Sequence, residues 1–247
     1  MTEPLLPDAL DVLAVGAHPD DVEIGCGGTL AMIASQGYRV GIVDITDGEP
    51  TPRSSGPEER LAEAEQAAKV LGVVHRENLG FDNRKLFDSF DVRVALAKVF
   101  RRYRPRLVLG LGAKTPLASP DHAQAVAITE AAVFYSRLTK WDDTFDGLPV
   151  YTVPQFLTYF LFAGLSDVPH GHWPLVIGIN DFLDVKLEAI RCYPSQFPPE
   201  KEHVFPRVRA MAETVGIMSG CSAGEILASN RMPCLTDPMQ VLFPTPT

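Results

Sequence analysis

Val12-Leu13-Ala14-Val15-Gly16-Ala17-His18-Pro19-Asp20-Asp21-Val22-Glu23-Ile24-Gly25 joins an apolar, β-branched run directly to an imidazole and two carboxylates. The run Val12 to Ala17 reads as a first parallel strand, and the polar residues fall where strands of open sheets give onto ligand clefts. His18 and Asp21 are separated by two residues on a turn stiffened by Pro19, so both can face one cation while Asp20 points at whatever the cation holds. A plainer reading is a capped strand-to-helix turn whose carboxylates satisfy backbone N–H groups. A cap needs the carboxylates but not the histidine.

Working outward, Gly27 to Gln36 reads as the helix that follows, closed by Gly37. Val40 to Ile45 is a second strand. A loop rich in proline and glycine, Thr46 to Pro57, precedes a helix over Glu58 to Leu71 that Gly72 stops, and a third strand is expected around Val73 to Leu79. The helix Val92 to Tyr103 presents Val92, Leu96, Val99 and Phe100 on one face and carries Arg101 and Arg102 in its last turn. Arg106 to Leu111 is a fourth strand.

This alternation predicts an α/β fold, a Rossmann-like parallel sheet flanked by helices with right-handed crossovers. A helix follows from Ala123 to about Leu138. Further strands are expected at Tyr151 to Phe162 and Leu175 to Ile179, and a helix over Asp181 to Cys192 begins at an Asn180 cap. The C-terminal part is less regular, with Pro198 to Glu202 and Met232 to Thr247 reading as surface loops and a tail.

At 247 residues with 46% hydrophobic residues, the chain is long enough to form one domain over residues 1–247. A formal net charge of −9 argues against nucleic acid and anionic membranes as partners and points to small molecules. The four cysteines are widely spaced with no C-x-x-C pair, which fits a reduced, cytoplasmic setting. The N-terminal residues lack the pattern of a signal peptide, and the apolar stretch Phe156 to Leu165 is shorter than the roughly 20 residues that span a bilayer. Gly25-Cys26-Gly27-Gly28 fails the G-x-G-x-x-G spacing of a dinucleotide loop, and Cys26 reads as a small buried residue rather than a nucleophile.

The string A-H-P-D-D-x-x-x-G resembles the signature of the PIG-L/LmbE family of zinc-dependent N-acetylglucosamine deacetylases, and every signature letter is present from Ala17 to Gly25. The resemblance extends through Gln196. It implies Zn²⁺ held by His18, Asp21 and His122, the last within Ser119-Pro120-Asp121-His122 after the fourth strand. It makes Asp20 the general base and Arg60 and Glu49 residues of the substrate pocket, with Tyr193 and Gln196 near the site. It also implies a GlcNAc conjugate as substrate, N-acetylglucosaminyl malate of bacillithiol synthesis among the candidates, and a homo-oligomer, often a hexamer. A pocket containing Arg53 or Arg60 would suit an anionic aglycone.

The chain departs from the family at one place. The family's H-P-D-H begins here with Ser119, which donates a neutral hydrogen bond but carries no positive charge. Loss of one oxyanion donor typically costs about 3 to 4 kcal/mol of transition-state stabilisation. Lys114, or His170 and His172 folding back, are candidate replacements. The alternative is a zinc-holding or sugar-binding homologue with lost or reduced catalysis.

Overall fold

A computed structural model of the chain describes residues 6–161, 168–232 and 234. Seven strands form one sheet: β1 (Val12–Gly16), β2 (Val40–Thr46), β3 (His75–Phe81), β4 (Leu107–Leu111), β5 (Gln155–Tyr159), β6 (Trp173–Gly178) and β7 (Gly224–Ser229). Their order is β3-β2-β1-β4-β5-β7-β6. The first five are mutually parallel, β7 runs antiparallel to β5, and β6 antiparallel to β7. The α-helices are α1 (Asp21–Ser35), α2 (Pro57–Leu71), α3 (Phe90–Tyr103), α4 (Asp121–Tyr135), α5 (Leu183–Arg191) and α6 (Val204–Ser219).

The α/β expectation holds, and the strand order explains where ligands can enter. From β1 the chain steps to β2 on one side, and later to β4 on the other, so the sheet reverses its winding between β1 and β4. Helices diverge from such a point and leave a crevice beyond the carboxyl ends of the two strands. All five residues of β1 are buried, as expected of a central strand covered on both faces.

The first helix contains the main local departure from expectation. It starts at Asp21 rather than Gly27 and breaks at Cys26, whose φ of −143° and ψ of 20° are not helical. The predicted helix is thus its second segment, and the signature residues add a turn of their own. Gly25 is required in that turn because a Cβ there would stand 2.2 Å from Tyr159 Cδ2. Tyr159 is itself fixed by donating its hydroxyl to the Val15 carbonyl at 2.8 Å, which locks β5 against β1.

Smaller shifts have local causes. Strand β3 begins two residues late because Val73 completes the helix end at Gly72, donating to the Ala68 carbonyl. Pro154 has no N–H for the sheet, so β5 begins at Gln155. Asn180 caps no helix: its side chain accepts the N–H groups of Ser222 and Ala223, and residues 180–182 form a 3-10 turn before α5. Helix α6 and strand β7 occupy the stretch left without elements in the sequence reading. Phe162, and all of the expected tail but Met232 and Cys234, lie outside the described residues.

Candidate active site at the switch point of the sheet

Three side chains converge in the crevice between β1 and β4. His18 and Asp21 come from the turn after β1, and His122 from the first turn of α4 after β4. One ligand atom from each lies within 4.8 Å of the others, and all three residues are buried. His122 Nε2 is 3.3 Å from His18 Nδ1 and 3.2 Å from Asp21 Oδ1. The loops expected to meet do meet.

The remaining ring nitrogens are occupied in a way that aims these atoms inward. His18 Nε2 stands 3.3 Å from Asp121 Oδ2, and His122 Nδ1 stands 2.9 Å from Thr115 Oγ1. A histidine held at one nitrogen presents the other to a cation, which is the usual support of a metal-binding imidazole. The Asp21 carboxylate combines both readings of the sequence. Its Oδ2 accepts the N–H groups of Ala17 and His18 at 3.0 Å each, as a cap would, while Oδ1 faces His122. Two imidazoles and one carboxylate with supported orientations fit a divalent ion of borderline softness.

The electrostatics agree with that use. Burial drives the His18 imidazole down, but the Asp21 and Asp121 carboxylates outweigh it and raise its pKa to about 10. Burial raises Asp21, yet His18 and His122 hold its carboxyl well below the ordinary range. Asp121 is likewise lowered: burial opposes this, and contact with His18 and the N–H of Arg84 prevail. A cluster that gathers positive charge around fixed carboxylates is poised to exchange protons for a cation.

Asp20 sits at the edge of the cluster with φ of 114°, a left-handed conformation that costs an aspartate about 1 to 3 kcal/mol. Its pKa is raised to about 7, by burial first and by Asp21, with Arg60 working against both. Arg60 is itself buried beneath the turn. Its Nη2 donates to the Pro19 carbonyl at 2.5 Å and lies 3.7 Å from Asp20 Oδ2, and its Nε is 3.8 Å from Glu49 Oε1.

Arg60 therefore braces the signature turn and stands in the wall of an open cleft of about 440 Å³. Glu49 is tied to Thr51 through both oxygens and does not line the cleft. Ser119 lines it, and its Oγ accepts the Asp121 N–H. Gln196 lines it too, while Tyr193 is fully buried and donates to Glu23.

Some expected residues are elsewhere. Lys114, His170 and His172 do not line the cleft, so none replaces the charge absent at Ser119. Arg53 is exposed and paired with Glu200 at 3.3 Å. Asp121, Thr115 and Arg84 are residues of the site that the sequence reading does not single out. Asp121 alone carries a signal, as the inner carboxylate of Asp121-His122.

A mostly parallel sheet with a His-Asp-His cluster and an adjacent carboxylate at its switch point has the donor set and base of a metal-dependent hydrolase. Comparison narrows that class. A family model described as PIG-L, GlcNAc-PI de-N-acetylase, matches residues 13–133. Diacetylchitobiose deacetylase of Thermococcus kodakarensis is 31% identical, covering 86% of this chain and 80% of its own.

Among solved structures, the conserved protein TT1542 of Thermus thermophilus superposes with a TM-score of 0.77 at 34% identity, covering 93% of this chain and 98% of its own. N,N'-diacetylchitobiose deacetylase of Pyrococcus horikoshii does so with a TM-score of 0.77 at 29% identity, covering 92% and 88%. The chain belongs to the PIG-L family of metal-dependent deacetylases.

Proposed function

We propose that the chain is a zinc-dependent hydrolase that removes the N-acetyl group of a GlcNAc conjugate, releasing acetate and a free amino sugar. What carries the reading is the convergence of His18, Asp21 and His122 beside Asp20 in an open cleft. The family description and the named relatives, which act on GlcNAc-PI and diacetylchitobiose, support the acetamido sugar. N-acetylglucosaminyl malate is one conjugate within this reading.

His18, Asp21 and His122 would hold the ion, which when bound acidifies water and polarises the acetamide carbonyl. Asp20 takes the proton of the attacking water, and its pKa near 7 lets it give that proton to the leaving amine. Arg60 holds the carboxylate in place through Pro19 and its own charge. Ser119 supplies a neutral hydroxyl to the cleft in place of the first imidazole of the H-P-D-H motif. The cleft volume lies within the range of small-molecule sites, about 300 to 1,000 Å³.

The reading extends to a cytoplasmic homo-oligomer. The oligomer is supported by exposed aromatic rings, Phe90 and Trp141 with centroids 6.0 Å apart and Phe134 beside them through Tyr135, and light scattering would test it. Among the described residues, no helix is long and apolar enough to cross a membrane.

The decisive experiment is acetate release by the zinc-loaded chain from diacetylchitobiose and from GlcNAc glycosides of inositol and malate. At least one is hydrolysed, and Asp20→Ala lowers the rate by about 10²- to 10⁴-fold with metal retained. Absence of acetate from every conjugate refutes the reading.

A further inference from the structure

We propose that Arg84 is the specificity residue of the cleft and selects conjugates whose aglycone carries a carboxylate or phosphate. The proposal rests on the deacetylase reading for the sugar and adds the chemistry of what the sugar is attached to.

Arg84 lies in the loop between β3 and α3 and lines the cleft beside Asn83. Its backbone is part of the site: the N–H donates to Asp121 Oδ2 at 2.6 Å, the oxygen that also faces His18. That bond fixes the Cα one residue away from the metal-binding cluster. The side chain is exposed and, among the described residues, has no carboxylate or carbonyl partner. The nearest acid in sequence, Asp82, is instead paired with Lys85 at 3.4 Å.

The backbone conformation adds a second observation. Arg84 has φ of 63°, a left-handed conformation that strains any residue with a Cβ and that glycine adopts freely. Gly48, which also lines the cleft, takes φ of 77° as a glycine. Arg104 is also left-handed, but its guanidinium is bound to the carbonyls of Arg102 and Pro7. Arg84 alone among these places an uncommitted guanidinium at the cleft.

Charge decides what such a group is for. Asp20 and Asp21 line the same cleft and Asp121 accepts the Arg84 N–H, in a chain of net charge −9, acidic surroundings that disfavour an anionic ligand. Arg60, the other arginine of the wall, is buried and already surrounded by Asp20, Glu49 and Glu63. Among the described residues lining the cleft, only Arg84 offers the planar pair of donors that carboxylates and phosphates take. An anion held there at the mouth leaves the sugar to reach inward toward His18 and His122.

Calorimetric binding of deacetylated conjugates to the zinc-loaded chain tests this without turnover. The probes are neutral methyl glucosaminide, glucosamine 1-phosphate and the glucosaminyl glycoside of 2-hydroxysuccinate. One or both anionic probes bind at least tenfold tighter than the neutral one, and which of them does so separates phosphate from carboxylate. Arg84→Gln closes that gap, Arg84→Lys keeps part of it, and Arg84→Gly closes it while raising the thermal midpoint.

Equal affinities in the parent chain, or a gap that survives Arg84→Gln, overturn the proposal. Acetate release is scored separately: if no conjugate is deacetylated while the gap is present and Arg84-dependent, the deacetylase reading falls and the anion site stands.

Discussion

At the scale of single residues, Asp121 is the side chain whose importance the structure adds to the sequence. It lies outside the string from Ala17 to Gly25, yet its Oδ2 holds both the His18 ring at 3.3 Å and the Arg84 N–H at 2.6 Å. In the proposed function it is a positioning residue, acting on the cation through His18. Truncation to Asp121→Ala frees the imidazole to rotate and weakens zinc affinity by about ten- to a hundredfold. Asp121→Asn keeps an acceptor of the same shape and recovers part of the loss. Competition with a chromogenic chelator measures both, and equal zinc affinity in all three proteins would show that Asp121 has only a packing role. His18, Asp21 and His122 were legible because ligand spacing and the family string survive in one dimension. Asp121 and Thr115 were less so: His18, the partner of Asp121, lies on another loop, and no local pattern pairs Thr115 with His122.

At the scale of elements, helices and strands with a clear apolar period were placed almost to the residue, and the misplacements follow chain chemistry. Helix α2 ends where Gly72 adopts φ of 72°, as its sequence predicts. Helix α1 was half seen, because the break at Cys26 hides a turn whose residues are chosen for the site rather than for helicity. The start of β1 offers a test through Asp11, which binds the Arg39 N–H ahead of β2 and Arg106 ahead of β4. These contacts lower its pKa, the Arg39 N–H foremost, so its contribution to stability is present above about 3.8 and is lost as pH falls through the lower native value. Partial exposure keeps the effect small, of order 0.5 to 1 kcal/mol at pH 7. Urea denaturation therefore finds Asp11→Asn less stable than the parent at pH 7, with the difference shrinking as pH drops below 4. A pH-independent difference would place the effect elsewhere.

At the scale of the whole molecule, strand β7, which has no counterpart in the sequence reading, joins α5, which the sequence predicts over Asp181 to Cys192, in holding the site from behind. Glu225, on β7, accepts the N–H groups of Gly28 at 3.0 Å and Thr29 at 2.7 Å, the free donors of α1 just after its break. Lys186 of α5 meets the same carboxylate at 2.5 Å, and both side chains are buried. Segments nearly 200 residues apart in sequence thus fix the direction of α1, and with it the turn that presents Asp20 and Asp21. This could not be read along the chain, because an isolated Glu225 in a short strand has no local signature. Removing one member of a buried ion pair strands the other charge, so Glu225→Ala is expected to cost about 3 to 5 kcal/mol. Adding Lys186→Met removes the stranded ammonium, leaving the lost helix cap at about 1 kcal/mol as the main deficit. Urea midpoints of the parent, single and double variants measure the difference. If the double variant is no more stable than Glu225→Ala, the carboxylate acts on the helix alone and the ion pair contributes nothing to holding the site.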